Sequence, residues 1–92
     1  MTTDLPSKVT INDGVLYQEL GEEIVIMNTA NESYFSLDPG GARFWQLLEE
    51  GKDMPAILGT MLAEFAVELS VLERDLARLT HEMAAKQLVT LA

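Results

Sequence analysis

The 92-residue sequence contains no cysteine, which excludes both a disulfide framework and a thiolate metal site. His81 is the only histidine. No second histidine, cysteine or ordered carboxylate pair lies at a metal-ligand spacing from it. We therefore expect no metal ion and no other cofactor, and we interpret His81 as a solvated side chain on the surface of a helix.

Basic residues are scarce: 6 Lys and Arg stand against 15 Asp and Glu, for a formal net charge of −9. Proteins that bind nucleic acid usually carry a basic patch, because neutralisation of phosphates dominates their affinity. The charge balance therefore argues against DNA and RNA as partners. It favours a basic protein or peptide partner through electrostatic steering, although solubility alone explains an acidic surface equally well.

Long apolar runs are also missing, since none approaches the ~18 residues of a membrane-spanning helix. The opening stretch "MTTDLPSKVT" lacks the basic-then-apolar pattern of a secretory signal. Both absences predict a cytoplasmic protein with no membrane partner. Its 92 residues, 48% of them hydrophobic, suffice for one domain with one core. We expect a loose tail over residues 1–8 and a single domain over residues 9–92.

Catalytic and nucleotide-binding motifs are absent as well. The stretch "SLDPGGARFWQLL" places Gly40 and Gly41 at the start of a predicted helix. However, no P-loop, no G-x-G-x-x-G fingerprint and no G-x-S-x-G nucleophile elbow occurs in the chain. Asp38 and Pro39 are typical of a helix start, and the glycines that follow allow a neighbouring backbone to approach closely. We predict no catalytic residues.

What is present is a change of hydrophobic period along the chain. Three short strands joined by tight turns predict an antiparallel meander over residues 14–20, 23–28 and 33–37. A 3.6-residue period then predicts three helices, which begin at Asp38, at Asp53 and at the S-x-x-E capping box of Ser70 to Glu73. The closing "QLVTLA" reads as one more strand. The predicted class is α+β, with the helices packed against one face of the sheet.

The third predicted strand has an unprotected edge. The stretch "ESYFSL" contains no Lys, no Pro and no Gly that would form a bulge, so its free backbone groups can accept an added strand. The third helix carries an apolar stripe, and beside this edge it would form a groove. The alternative is that the C-terminal segment or a second copy of the chain covers the edge.

The stretch "IVIMNTANESYFSLDPGGARFWQLLEEG" resembles the PqqD-like family of precursor-peptide recognition elements, which serve the biosynthesis of ribosomally made peptides (RiPPs). The resemblance runs from about Val15 to Val89. It is greatest to the stand-alone, leader-binding half of the split lasso-peptide B protein. The family usually has Gly where this chain has Gln87.

The resemblance implies a small winged helix-turn-helix fold. It also implies that the chain binds an extended leader peptide as an added strand, without catalysis, and delivers it to a leader peptidase and a cyclase. The peptide-binding residues that it implies are Ser33, Tyr34, Phe35, Ser36, Leu72, Asp75, Leu76 and Leu79.

A winged-helix transcription regulator with the third helix in DNA is the alternative hypothesis. That helix lacks the basic excess expected of a DNA-reading element. Its acidic residues Glu73, Asp75 and Glu82 match its basic residues Arg74, Arg78 and Lys86 in number.

Overall fold

A computed structural model describes residues 5–92 of the chain. In chain order its elements are β1 (Val9–Ile11), β2 (Val15–Leu20), β3 (Glu23–Asn28), β4 (Ser33–Leu37), α1 (Pro39–Glu49), α2 (Met54–Glu64), α3 (Leu69–Ala85) and β5 (Val89–Leu91). The α+β class and the three-stranded meander followed by three helices are confirmed. None of the helices within residues 5–92 is long and apolar enough to cross a membrane.

The meander is an antiparallel sheet with the strand order β2-β3-β4. Two residues connect β2 to β3, and the first of them, Gly21, has a φ of +67°, a backbone conformation in which glycine avoids a steric cost. The side chains of β3 alternate between buried and partly exposed. Ile24 and Ile26 therefore face the helices, and the other face of the sheet points away from them.

A second, two-stranded sheet joins the two ends of the chain. Its first strand, β1, was not predicted; it pairs antiparallel with β5 and places Val9 opposite Leu91. Three residues are too few to show a period-2 pattern. The predicted C-terminal strand exists, but its pairing with β1 leaves the edge of β4 uncovered by it.

Part of the predicted tail over residues 1–8 can be described. Residues 1–4 lie outside the described part of the chain. The carbonyl of Ser7 accepts a hydrogen bond from the N–H of Met54 at 2.9 Å, and the carbonyl of Lys8 accepts one from Ala92 at 3.0 Å.

The core lies between the inner face of the meander and the three helices. Trp45 of α1 is fully buried, and the ring of Tyr17 on β2 packs against it edge to face, with the ring centroids 6.0 Å apart. The apolar period of the second helix, continued through Phe65, predicts an inward side chain, but Phe65 is 37% exposed. It is the C-cap of α2 and its backbone is extended, so its side chain no longer follows the helical period.

The predicted caps are correct for two of the three helices. Asp38 accepts a hydrogen bond from Gly41 at 2.9 Å, and Asp53 accepts one from Ala56 at 3.1 Å. The capping box of Ser70 to Glu73 is wrong, because α3 begins at Leu69 and its N-cap is Glu68. Ser70 already lies in the first helical turn, where its side chain does not occupy the capping position.

Candidate functional site

A groove of about 340 Å³ lies between β4 and α3. The first turn of α1 closes one part of it, and α2 contributes one side chain to its floor. The residues that line the groove are Phe35, Ser36, Leu37, Asp38, Gly40, Gly41, Met61, Leu72, Asp75, Leu76, Arg78, Leu79 and Glu82.

The floor of the groove is apolar because of the helical period of α3. Leu72 and Leu76 lie one turn apart on the same face of that helix, and both are buried, as is Met61 of α2. Leu79, a turn nearer the C-terminus, is partly exposed. The floor of the groove is therefore apolar and buried, whereas Leu79 adds a partly exposed apolar surface to one wall.

The start of α1 comes close to the end of β4 at Gly41. A Cβ atom on Gly41 would lie 3.1 Å from the Cδ2 atom of Leu37, closer than side chains normally pack. A Cβ atom on Gly40 would meet only the Oδ1 atom of Asp38, at an ordinary 3.7 Å. A close approach therefore exists at Gly41 and not at Gly40, but it is made by the side chain of Leu37 and not, as was predicted, by a neighbouring backbone.

The edge of β4 that faces the groove has free hydrogen-bonding groups. Thr29 donates its N–H to the carbonyl of Gly14 at 3.1 Å, and this bond fixes which residues pair by hydrogen bonds along the antiparallel ladders. Because hydrogen-bonded pairs alternate along each ladder, Val25 and Met27 of β3 bond to β2, and Ile26 bonds in the other direction, to β4. The partner of Ile26 is Phe35, so the backbone groups of Phe35 bond to β3. Tyr34 and Ser36 alternate with Phe35, so their N–H and C=O groups point to the free edge.

Charged side chains form the rim of the groove. Arg78 lies 3.5 Å from Asp75, with Nη2 near Oδ1. The four-residue spacing from Arg78 to Glu82 would also allow an ion pair, but none forms between them in residues 5–92. Both acidic residues are helical neighbours of Arg78, but the acid on the N-terminal side is favoured by the helix dipole. Within residues 5–92 the carboxylate of Glu82 has neither a hydrogen-bond nor an ion-pair partner.

Most of the residues implied by the resemblance meet at this groove. Six of the eight line it: Phe35, Ser36, Leu72, Asp75, Leu76 and Leu79. Ser33 and Tyr34 do not, and the side chain of Tyr34 is 65% exposed on the opposite face of the sheet. The strand alternation could have indicated this, since Tyr34 and Phe35 must face opposite sides.

Several lining residues were not predicted. Arg78 and Glu82 extend the polar side of the α3 stripe, and Glu82 follows Asp75 by seven residues, a spacing that could have revealed it. Met61 and the N-terminal turn of α1 belong to other elements. Only the tertiary packing brings them to the groove.

The outer face of the meander carries a second apolar surface. Leu16 and Leu20 of β2 are 57% and 51% exposed, and Tyr34 of β4 is 65% exposed on the same face of the sheet. A shallow cavity of about 250 Å³ lies between Leu16, Val25, Met27 and Tyr34. This surface faces away from the core, which the inner face of the sheet already covers.

Two comparisons with known proteins give matches. The family model described as "Coenzyme PQQ synthesis protein D (PqqD)" matches residues 23–89. A solved structure, "TbiB1 in Complex with the TbiA(beta) Leader Peptide", superposes with a TM-score of 0.83 at 36% sequence identity, and the match covers 87% of this chain and 93% of TbiB1. No curated protein matches the sequence.

Proposed function

The chain belongs to the PqqD family, and from this premise we propose that it binds the leader region of a ribosomally made precursor peptide. One observation carries the proposal: TbiB1, which is 36% identical over most of both chains, has been solved in complex with the TbiA(β) leader peptide. We propose the groove between β4 and α3 as the site at which this chain binds such a peptide.

The proposed mode of binding is the addition of a strand. The free N–H and C=O groups of Tyr34 and Ser36 pair with the backbone of the leader and supply affinity with little dependence on sequence. Specificity then comes from leader side chains that enter the groove. The proposed peptide-binding residues remain Ser33, Tyr34, Phe35, Ser36, Leu72, Asp75, Leu76 and Leu79, with Tyr34 and Ser36 contributing backbone groups, whereas the backbone of Ser33, like that of Phe35, faces β3.

A leader bound on β4 leaves the outer face of the meander free. In the proposed role the chain acts in the cytoplasm as a non-catalytic adaptor, which delivers its precursor to a leader peptidase and a cyclase of a lasso-peptide-type pathway. The apolar side chains of Leu16, Leu20 and Tyr34 are exposed on the outer face of the meander. An exposed apolar surface of this kind is suited to contact with a partner protein.

The finer description of the fold as a winged helix-turn-helix is also part of the proposal, supported by the short connection between α2 and α3.

The proposal is tested by fluorescence anisotropy with labelled leader peptides. The TbiA(β) leader and, where a short precursor is found to be encoded near the gene of this chain, the leader of that precursor are titrated, each against a scrambled peptide of the same composition. We expect saturable binding of at least one leader and none of its scrambled partner. Mass spectrometry of the same mixture should show an intact peptide, because the chain is proposed to be non-catalytic. Failure of both leaders to bind contradicts the proposed function.

A further inference from the structure

We infer that the peptide segment recognised by the groove combines an apolar side chain with a lysine or arginine about four residues away. This inference rests on the proposed function and deepens it by naming the chemistry of the ligand. It follows from three features of the groove: its buried apolar floor, the charges on its rim, and the distance between the two.

The floor accepts an apolar side chain. Leu37, Met61, Leu72 and Leu76 line the groove, and each is at most 6% exposed. None of these side chains offers a hydrogen bond, so a polar group placed on them would lose its hydration without compensation. We define these four residues as the anchor pocket.

The rim favours a positive charge. Three carboxylates, those of Asp38, Asp75 and Glu82, stand against the single guanidinium of Arg78. Asp38 already caps α1 through Gly41, and Asp75 is paired with Arg78. Glu82 has no such partner among residues 5–92, so it is the carboxylate available to a cation on the ligand.

The distance from the anchor pocket to Glu82 sets the spacing in the ligand. Glu82 lies eight residues beyond the midpoint between Leu72 and Leu76, which is about 12 Å along the axis of α3. In the proposed mode of binding the peptide lies extended alongside α3, and an extended peptide covers about 12 Å in three to four residues. Side chains of a strand alternate between faces, so the residue that faces Glu82 from the same side as the anchor is the fourth.

Selection from a displayed library of random 12-residue peptides tests the inference. The full-length wild type is compared with Glu82→Lys and with Glu73→Lys, which makes the same charge change on α3 outside the groove. Peptides that no longer bind Tyr34→Pro are counted as groove ligands. We expect the wild type and Glu73→Lys to enrich Lys or Arg four residues from an apolar residue. Glu82→Lys should lose that enrichment or replace it with Asp or Glu.

A basic peptide selected on the wild type should bind Glu82→Lys about tenfold more weakly, because an attraction becomes a repulsion. The difference should shrink in high salt, while thermal unfolding shows that the variant is folded. The inference is overturned if the groove ligands lack a basic residue at that spacing. It is also overturned if Glu82→Lys selects peptides with the same charge preference as the wild type. Either result leaves the proposed function intact. A selection that yields no ligand sensitive to Tyr34→Pro overturns both.

Discussion

At the C-terminal end of α3, Gln87 adopts a left-handed backbone conformation with a φ of +61°. The N–H of Leu88 bonds to the carbonyl of Met83, and the N–H of Gln87 to that of Ala84, both at 3.0 Å. These two bonds form a Schellman motif, in which the left-handed position is usually glycine. A residue with a Cβ atom costs about 1 kcal/mol in this conformation. The helix thus ends where a glycine would end it, although the residue there is a glutamine.

We predict that Gln87→Gly stabilises the protein by roughly 0.5–1 kcal/mol, because it removes this conformational cost. The carbonyl of residue 87, which accepts a hydrogen bond from the side chain of Asn28 at 2.7 Å, is retained. Urea unfolding followed by the fluorescence of Trp45 measures the change. Gln87→Ala is the control and should not stabilise. The side-chain amide of Asn31 donates a hydrogen bond to Oε1 of Gln87 at 3.3 Å. A Gly variant less stable than wild type would show that this bond outweighs the strain.

The ion pair between Arg43 and Glu64 ties α1 to the last residue of α2. Two hydrogen bonds, each 2.8 Å, join the guanidinium to both carboxylate oxygens. The hydrogen bond from Arg43 lowers the pKa of Glu64 from its usual 4.5. A group with a lowered folded-state pKa stabilises the protein above its unfolded-state pKa, and the contribution disappears as the pH falls through the folded-state value.

We therefore predict that Glu64→Gln lowers the melting temperature at neutral pH and that the gap to wild type closes in acid. Melting curves of both proteins, taken from neutral pH to well below the usual glutamate pKa of 4.5, measure this gap, which should close below that value. Glu22→Gln, in the turn between β2 and β3, serves as the control and should leave the melting temperature unchanged throughout. A gap of constant size at every pH contradicts an electrostatic origin.

At the scale of the elements, alternate residues of β4 have two roles: some hydrogen-bond to β3, and the others face the free edge where a leader could pair. Phe35 hydrogen-bonds to β3, whereas the N–H of Tyr34 points to the free edge. We predict that Tyr34→Pro lowers leader affinity at least tenfold, about 1.4 kcal/mol, because it removes one donor from the edge without removing a bond of the sheet. Tyr34→Ala keeps the donor and should bind within a few-fold of wild type.

Anisotropy with a leader that binds the wild type measures both variants, and circular dichroism verifies that they are folded. Phe35→Pro provides the contrast, since it breaks the pairing of β3 with β4 and should unfold the sheet. If a folded Tyr34→Pro binds as tightly as wild type, the leader does not pair with β4 at this residue.

The elements predicted from sequence are those long enough to show a period. The meander and the three helices each contain several apolar residues at a regular spacing, and so they could be located. The apolar wall of α3 at Leu72, Leu76 and Leu79 follows from the same period. Met61 and Gly41 could not be assigned to the groove, because their place in it depends on how α1 and α2 pack. The S-x-x-E pattern predicted the wrong start for α3, because Ser70 is the second residue of the helix and not its N-cap.

At the scale of the whole molecule, the net charge of −9 opposes the binding of polyanions. We predict no salt-sensitive binding to DNA at physiological ionic strength, because few counterions would be released by so acidic a surface. A gel-shift titration at micromolar protein, repeated over a range of salt concentrations, measures this. A shifted band whose affinity falls steeply with salt would support the DNA-binding alternative, which neither the family match nor the similarity to TbiB1 supports.

The pairing of β1 with β5 makes the backbone almost a closed ring, since the N–H of Ala92 reaches the carbonyl of Lys8 at 3.0 Å. Two chain ends that lie this close together can be joined, and new ends can be made in another turn. A circular permutant that joins residues 8 and 92 through a short linker, with new ends in the turn at Gly21, interrupts neither β4 nor α3 and should retain the groove. For the same reason we expect the domain to tolerate insertion into a loop of another protein, since its two ends would connect to the host at neighbouring points.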